Sequence, residues 1–103
     1  MVNLTNKDIA KKLIKKAASL SVISTQNTDP VSSVQKANYA IGYLDALRDI
    51  MSDSEIKNLV NIDLNKFTGE LVKIQNNNIM NMTNKCPNLS TDKNYLLDIV
   101  TNL

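Results

Sequence analysis

The sequence contains no histidine and no tryptophan, and only one cysteine, Cys86. Without histidine the chain lacks the commonest general base, the usual pH switch and a frequent metal ligand. A lone thiol forms neither an internal disulfide nor a cysteine-based zinc site. It suits a reducing, intracellular setting, cytoplasmic or nuclear, or the interior of a particle. Two glycines and two prolines are few for a turn-rich all-β chain. The aromatics are Tyr39, Tyr43, Phe67 and Tyr95 alone, so any core is built from Leu, Ile, Val, Ala and Met. No apolar run is long enough for a membrane span, and the N-terminal stretch lacks the unbroken apolar region of a secretory signal. No phosphate-cradling glycine loop, Gly-x-Ser-x-Gly elbow or His-Glu-x-x-His pair is present. The expectation is therefore a chain that is not an enzyme, with no catalytic residues, cofactor, metal or small-molecule substrate.

The sequence does have an ordinary globular composition, 43% hydrophobic and 21% charged over 103 residues, which fits one domain spanning 1–103. Asn, Ile and Lys are abundant, and their codons are AT-rich, which fits an AT-rich cellular genome or a large DNA virus. The sequons at Asn3, Asn81 and Asn88 are read as chance matches in a chain so rich in Asn. The net charge of +2 is unevenly distributed. Residues 1–20 hold Lys7, Lys11, Lys12, Lys15 and Lys16 against Asp8 alone, while the remainder has seven basic and nine acidic residues. The basic end suits either an anionic partner or the acidic remainder of its own fold.

Apolar spacing predicts helices throughout. The first spans about Asn6 to Ser24, capped by Thr5 or Asn6. It carries Ile9, Ala10, Leu13, Ile14, Ala17 and Leu20 on one side and the five lysines on the other. Its tail from Ser19 to Thr25 is rich in Ser and β-branched residues and is expected to fray. Asp29-Pro30 reads as an N-cap followed by proline at the first helical position. The central helix, about Val31 to Met51, is apolar over roughly 240° of its circumference. Its narrow polar stripe is Gln35, Asn38, Gly42, Asp45 and Asp49. Ser52-Asp-Ser-Glu55 fits a capping box and starts a short helix to Val60. A further helix runs from about Leu64 to Met82, with Leu64, Phe67, Leu71, Ile74, Ile79 and Met82 on one face. The Asn76–Asn78 run within it favours fraying or a partner contact. Pro87 marks a break, and a last short helix covers about Thr91 to Asn102, with Tyr95, Leu96, Ile99, Val100 and Leu103 together. The expected fold is all-α, a compact bundle of four to five helices, with the helix around 31–51 central and the other long and terminal helices covering it.

Candidate sites follow from this placement. Tyr39 and Tyr43 sit at the edge of the central apolar arc, where core and interface are both open readings. Gln75 and Asn78 fall on an apolar face, either bonded to a neighbouring helix or marking where another chain docks. Lys7, Lys11, Lys12, Lys15 and Lys16 are candidate anion contacts, although the chain has one arginine, Arg48, and no recognisable nucleic-acid reader. Asp45 and Asp49, one turn apart, would need further ligands to hold a cation, and only Glu55 and Glu70 are glutamates. Cys86 lacks a histidine to activate it. The functional expectation is a structural or protein–protein interaction module, self-associating or bound to a protein partner. Such a chain suits a small subunit of a larger assembly such as a virion. The alternative is a small nucleic-acid-binding protein using the lysine-rich first helix.

Overall fold

The computed structural model describes residues 5–85 and 93–103. Its helices are α1 (Asn6–Gln26), α2 (Pro30–Ile50), α3 (Asp53–Val60), α4 (Leu64–Lys85) and α5 (Lys93–Asn102). The protein is an all-α bundle, and no strand occurs among the described residues.

Local chemistry sets the boundaries. Thr5 caps α1 in a reciprocal box: the Asp8 backbone N–H donates to Thr5 Oγ1 at 3.1 Å, and the Thr5 N–H donates to Asp8 Oδ2 at 3.2 Å. Asp29 caps α2, its Oδ1 accepting from the Val31 N–H at 3.1 Å, with Pro30 at the first helical position. Ser52 Oγ accepts from the Glu55 N–H at 3.2 Å and starts α3. Asn61, left-handed at φ 54°, ends α3, and Asp63 Oδ1 accepts from the Lys66 N–H at 3.1 Å to start α4. Arg48 braces the turn from α2 to α3 through Asp53, Nε to Oδ1 at 3.1 Å.

The Ser-rich tail of α1 does not fray. It stays helical to Gln26 because its small side chains are buried: Ser21 and Ser24 are inside the bundle, and Ser24 Oγ donates back to the Ser21 carbonyl at 2.6 Å. Tertiary packing overrides weak propensity here. The Asn76–Asn78 run is helical as well, within an α4 that continues past Met82 to Lys85, and Asn78 is tied to Ser24 of α1 by a hydrogen bond.

α2 packs on both α1 and α4, and is therefore the central helix, while α3 packs on α1 and α4. Ala10, Ala17, Ala37 and Ala40 are all fully buried, and these short side chains let α1 and α2 approach closely. Leu44, Leu47 and Met51 of the central stretch join Ile14, Ile56, Leu64 and Leu71 in the core. The buried stripe of α2 is narrower than the apolar arc of its sequence. Tyr39 is 57% exposed, Ile50 is 62% exposed and Ala46 is also exposed. A bundle with two main neighbours for α2 cannot cover so wide an arc.

The expectation that the terminal helix covers the centre fails. α5 makes no substantial packing with α1 to α4, and its side chains from Asn94 to Leu103 are all exposed. The radius of gyration, 16.2 Å, exceeds the roughly 13 Å of a compact chain this long, in keeping with a projecting α5. Periodicity shows that a helix has an apolar face, but it carries no information about which surface covers that face.

Candidate interaction groove

On the outer side of the α1–α2 pair lies an open, mainly apolar groove of about 460 Å³. It is lined by Lys16 and Leu20 of α1 and by Tyr39, Gly42, Tyr43 and Ala46 of α2, with no residue of α4. The α2 lining follows helical spacing over two turns, so these four residues form one strip along its exposed flank. Tyr43 is half-buried, and Lys16 Nζ stands 5.9 Å from its ring centroid. At Gly42 a Cβ would meet nothing within 4 Å. Packing within the chain therefore does not require glycine at this position, and the bare backbone deepens the groove.

The two tyrosines are thus brought together at one surface, with Lys16. The other two candidate contact residues lie elsewhere and bond within the chain. Gln75 Nε2 donates to Asn38 Oδ1 at 2.8 Å, joining α4 to α2. Asn78 Nδ2 donates to Ser24 Oγ at 3.1 Å, joining α4 to the C-terminal end of α1. Residues of the polar stripe of α2, Gln35, Asn38, Gly42, Asp45 and Asp49, are all exposed.

All five lysines of α1 are exposed, but they do not converge. Lys7 and Lys11 border a cleft against Leu59, Val60 and Asn61, at the end of α3, while Lys16 belongs to the groove. Around the helix they spread over about half a turn of the wheel at about 100° per residue. Among the described residues the one salt bridge is Arg48–Asp53, so these amines and the Asp45/Asp49 strip do not neutralise one another by ion pairing. Asp8 lies among them, and its carboxyl is held below the ordinary carboxylate range, first by the side-chain hydrogen bond from Thr5, then by the Thr5 backbone N–H, with a smaller contribution from Lys11 and Lys7. No group of three or more His, Cys, Asp or Glu residues gathers among the described residues. Among them, too, no helix is long and apolar enough to cross a membrane. Cys86 lies outside the described residues.

The sequence places Tyr39, Tyr43 and Ala46 in one apolar arc and marks Gly42 as a glycine that a close approach would explain, but it does not bring Leu20 or Lys16 of α1 to the same surface. The available signal was the spacing Tyr39, Gly42/Tyr43, Ala46, a second seam beside the buried one. Gly42, a costly mid-helix glycine that close approach by another helix or a partner would explain, was placed on the polar stripe and so was not joined to the tyrosines. Compared with protein-family models, curated proteins and solved structures, the chain matches none of them.

Proposed function

We propose that this chain is a non-enzymatic protein–protein interaction module, a small part of a larger assembly in a reducing compartment, and that the α1–α2 groove is its contact surface. The observation that carries this reading is Tyr39, 57% exposed on an apolar strip that its own fold leaves uncovered. A tyrosine presents a large apolar body at low entropic cost and keeps its hydroxyl for a polar rim. The groove offers few polar groups, the Lys16 amine and the tyrosine hydroxyls, so it suits side-chain packing better than recognition of a polar small molecule. The test is a photo-crosslinking residue at position 39 of the full chain, with position 65 as a surface control outside the groove. A protein adduct formed from position 39, absent from position 65 and lost with Gly42→Gln, supports the reading. Equal adducts from both positions, or none from position 39, count against it.

A second reading is kept by one observation: the five lysines of α1 are exposed and outside any salt bridge among the described residues. They suit a phosphate backbone. Fluorescence anisotropy with a labelled duplex, titrated over salt, separates this reading from the first. Binding that weakens steeply with salt and with paired Lys12→Glu and Lys15→Glu changes favours it, and no binding at low ionic strength removes it.

A further inference from the structure

The groove has flanks of opposite charge. On the α1 side stand Lys16, which lines it, and Lys12, one turn earlier in the same helix and also exposed. The other flank belongs to α2. At about 100° per residue, exposed Gly42 and Ala46 lie on either side of the line opposite buried Leu44, in the middle of the outer face of α2. Tyr39, Tyr43 and Ile50 fall on the α1 side of that line, and Asp45 and Asp49, both exposed, fall on the other. Asn38 shares the side of the aspartates, and its bond to Gln75 shows that this side is the one toward α4. Among the described residues neither the two lysines nor the two aspartates belong to a salt bridge.

The charges also match in level along the helices. Residues 27–29 join α1 to α2, and the two helices pack together, so they run antiparallel. Lys16 Nζ stands near the Tyr43 ring, so Lys12 falls about one turn further toward the C-terminal end of α2, near the level of Leu47. Asp45 and Asp49 alternate with these two levels at steps of about two residues, or roughly 3 Å. A surface with one basic and one acidic flank complements a copy of itself, and the charges fix the orientation. A two-fold axis along α2 runs the two α2 helices parallel and sets each basic flank against the acidic flank of the other copy at the same level. A two-fold axis across α2 runs them antiparallel and opposes lysine to lysine and aspartate to aspartate.

We propose that the groove side of α1 and α2 is the interface of a parallel two-fold dimer of this chain. Gly42 and Ala46 of the two copies meet at its centre, Tyr39 and Ile50 extend the apolar contact, and Lys12 and Lys16 of each copy pair with Asp45 and Asp49 of the other. The arrangement is closed, with two identical charge seams. It gives Gly42 a use that packing within the chain does not, since bare backbone admits the close approach of a second helix. The dimer rests on the groove being an interaction surface, and it names the partner.

The test is sedimentation of the full chain at low salt over a wide concentration range, with charge exchanges at exposed positions and helicity checked by circular dichroism. Lys12→Glu with Lys16→Glu makes both flanks acidic, and Asp45→Lys with Asp49→Lys makes both basic. The wild-type chain is expected to dimerise, and each exchange to weaken the dimer at least ten-fold. All four changes in one chain reverse the flanks and are expected to restore it, as is mixing the two exchanged chains. Gly42→Gln is expected to weaken it at least ten-fold as well. A dimer that the exchanges leave unchanged, or that the four-fold variant does not recover, overturns the pairing of opposite flanks. A dimer indifferent to Gly42→Gln lies on another surface and overturns this interface. A wild-type chain that stays monomeric at all concentrations overturns the second copy as partner, while an adduct from position 39 to a different protein keeps the groove reading standing. Within the dimer, crosslinks from position 39 should reach residues 35–42 of the other copy, and crosslinks to residues 46–50 overturn the parallel arrangement.

Discussion

Lys16 Nζ lies 5.9 Å from the centroid of the Tyr43 ring, so α1 and α2 meet at the groove through a cation over an aromatic face. Lys16 is exposed and Tyr43 half-buried, which places the contact in the weaker, solvated range of about 0.5–1 kcal/mol. Tyr43→Phe keeps the ring and should leave urea unfolding nearly unchanged. Tyr43→Leu should lose roughly that amount, and in a Lys16→Ala background the same change should cost less. Equal losses from Tyr43→Leu in both backgrounds would show that the amine contributes nothing to the fold.

Gly42 gives an expectation of the opposite sign. It sits mid-helix, and a Cβ there would have open space around it. Gly42→Ala should therefore stabilise the isolated chain by up to about 1 kcal/mol through helix propensity alone. The measurement is the urea midpoint at a concentration low enough to keep the chain monomeric. Destabilisation would mean that the backbone at position 42 is in tighter contact than its surroundings indicate. Stabilisation combined with weaker association would mark a glycine retained for contact with another molecule at the expense of the helix.

These residues also show what was legible beforehand. The starts of α1, α2 and α3 were readable because their causes are local: Thr5 with Asp8, Asp29 before Pro30, and Ser52 with Glu55 each carry their capping chemistry within four residues. The centrality of α2 was readable from the breadth of its apolar arc. The groove was only half readable, because Tyr39 and Leu20 lie on different helices and become neighbours only once the α1–α2 register is fixed by the buried alanines. The projecting position of α5 was not readable at all. Its apolar residues announce a need for cover without specifying which surface supplies it.

The end of the bundle near Ser24 carries another expectation. Ser21 Oγ is buried and has no hydrogen-bond partner among the described residues, whereas Ser24 Oγ both donates to the Ser21 carbonyl and accepts from Asn78. A buried hydroxyl left unpaired costs on the order of 1–3 kcal/mol. Ser21→Ala removes the hydroxyl from a helical position and should raise stability by about 1 kcal/mol. Asn78→Ala should lower it by roughly 0.5–1.5 kcal/mol, the usual net worth of a hydrogen bond. Thermal or urea unfolding of the two single variants checks the opposite signs. A loss from Ser21→Ala would show that the hydroxyl is satisfied in solution.

Asp8 supplies the pH dependence. Its carboxylate accepts from Thr5 and lies beside Lys7 and Lys11, so its folded-state pKa falls below the unfolded value. A depressed acid contributes stability that is fully present above the unfolded pKa and is lost as pH falls through the folded one. The first turn of α1 should keep this contribution in full above the ordinary carboxylate pKa and lose it progressively in acid, from there down to the lowered pKa of Asp8. Because Asp8 is fully exposed, the effect is local rather than global. An NMR titration should place the Asp8 midpoint below that of an unstructured peptide aspartate. Thr5→Ala should return it toward the peptide value, since the Thr5 hydroxyl is the largest cause of the shift. If Thr5→Ala leaves the midpoint low while Lys7→Ala with Lys11→Ala raises it, the lysines rather than the capping box hold this carboxylate charged.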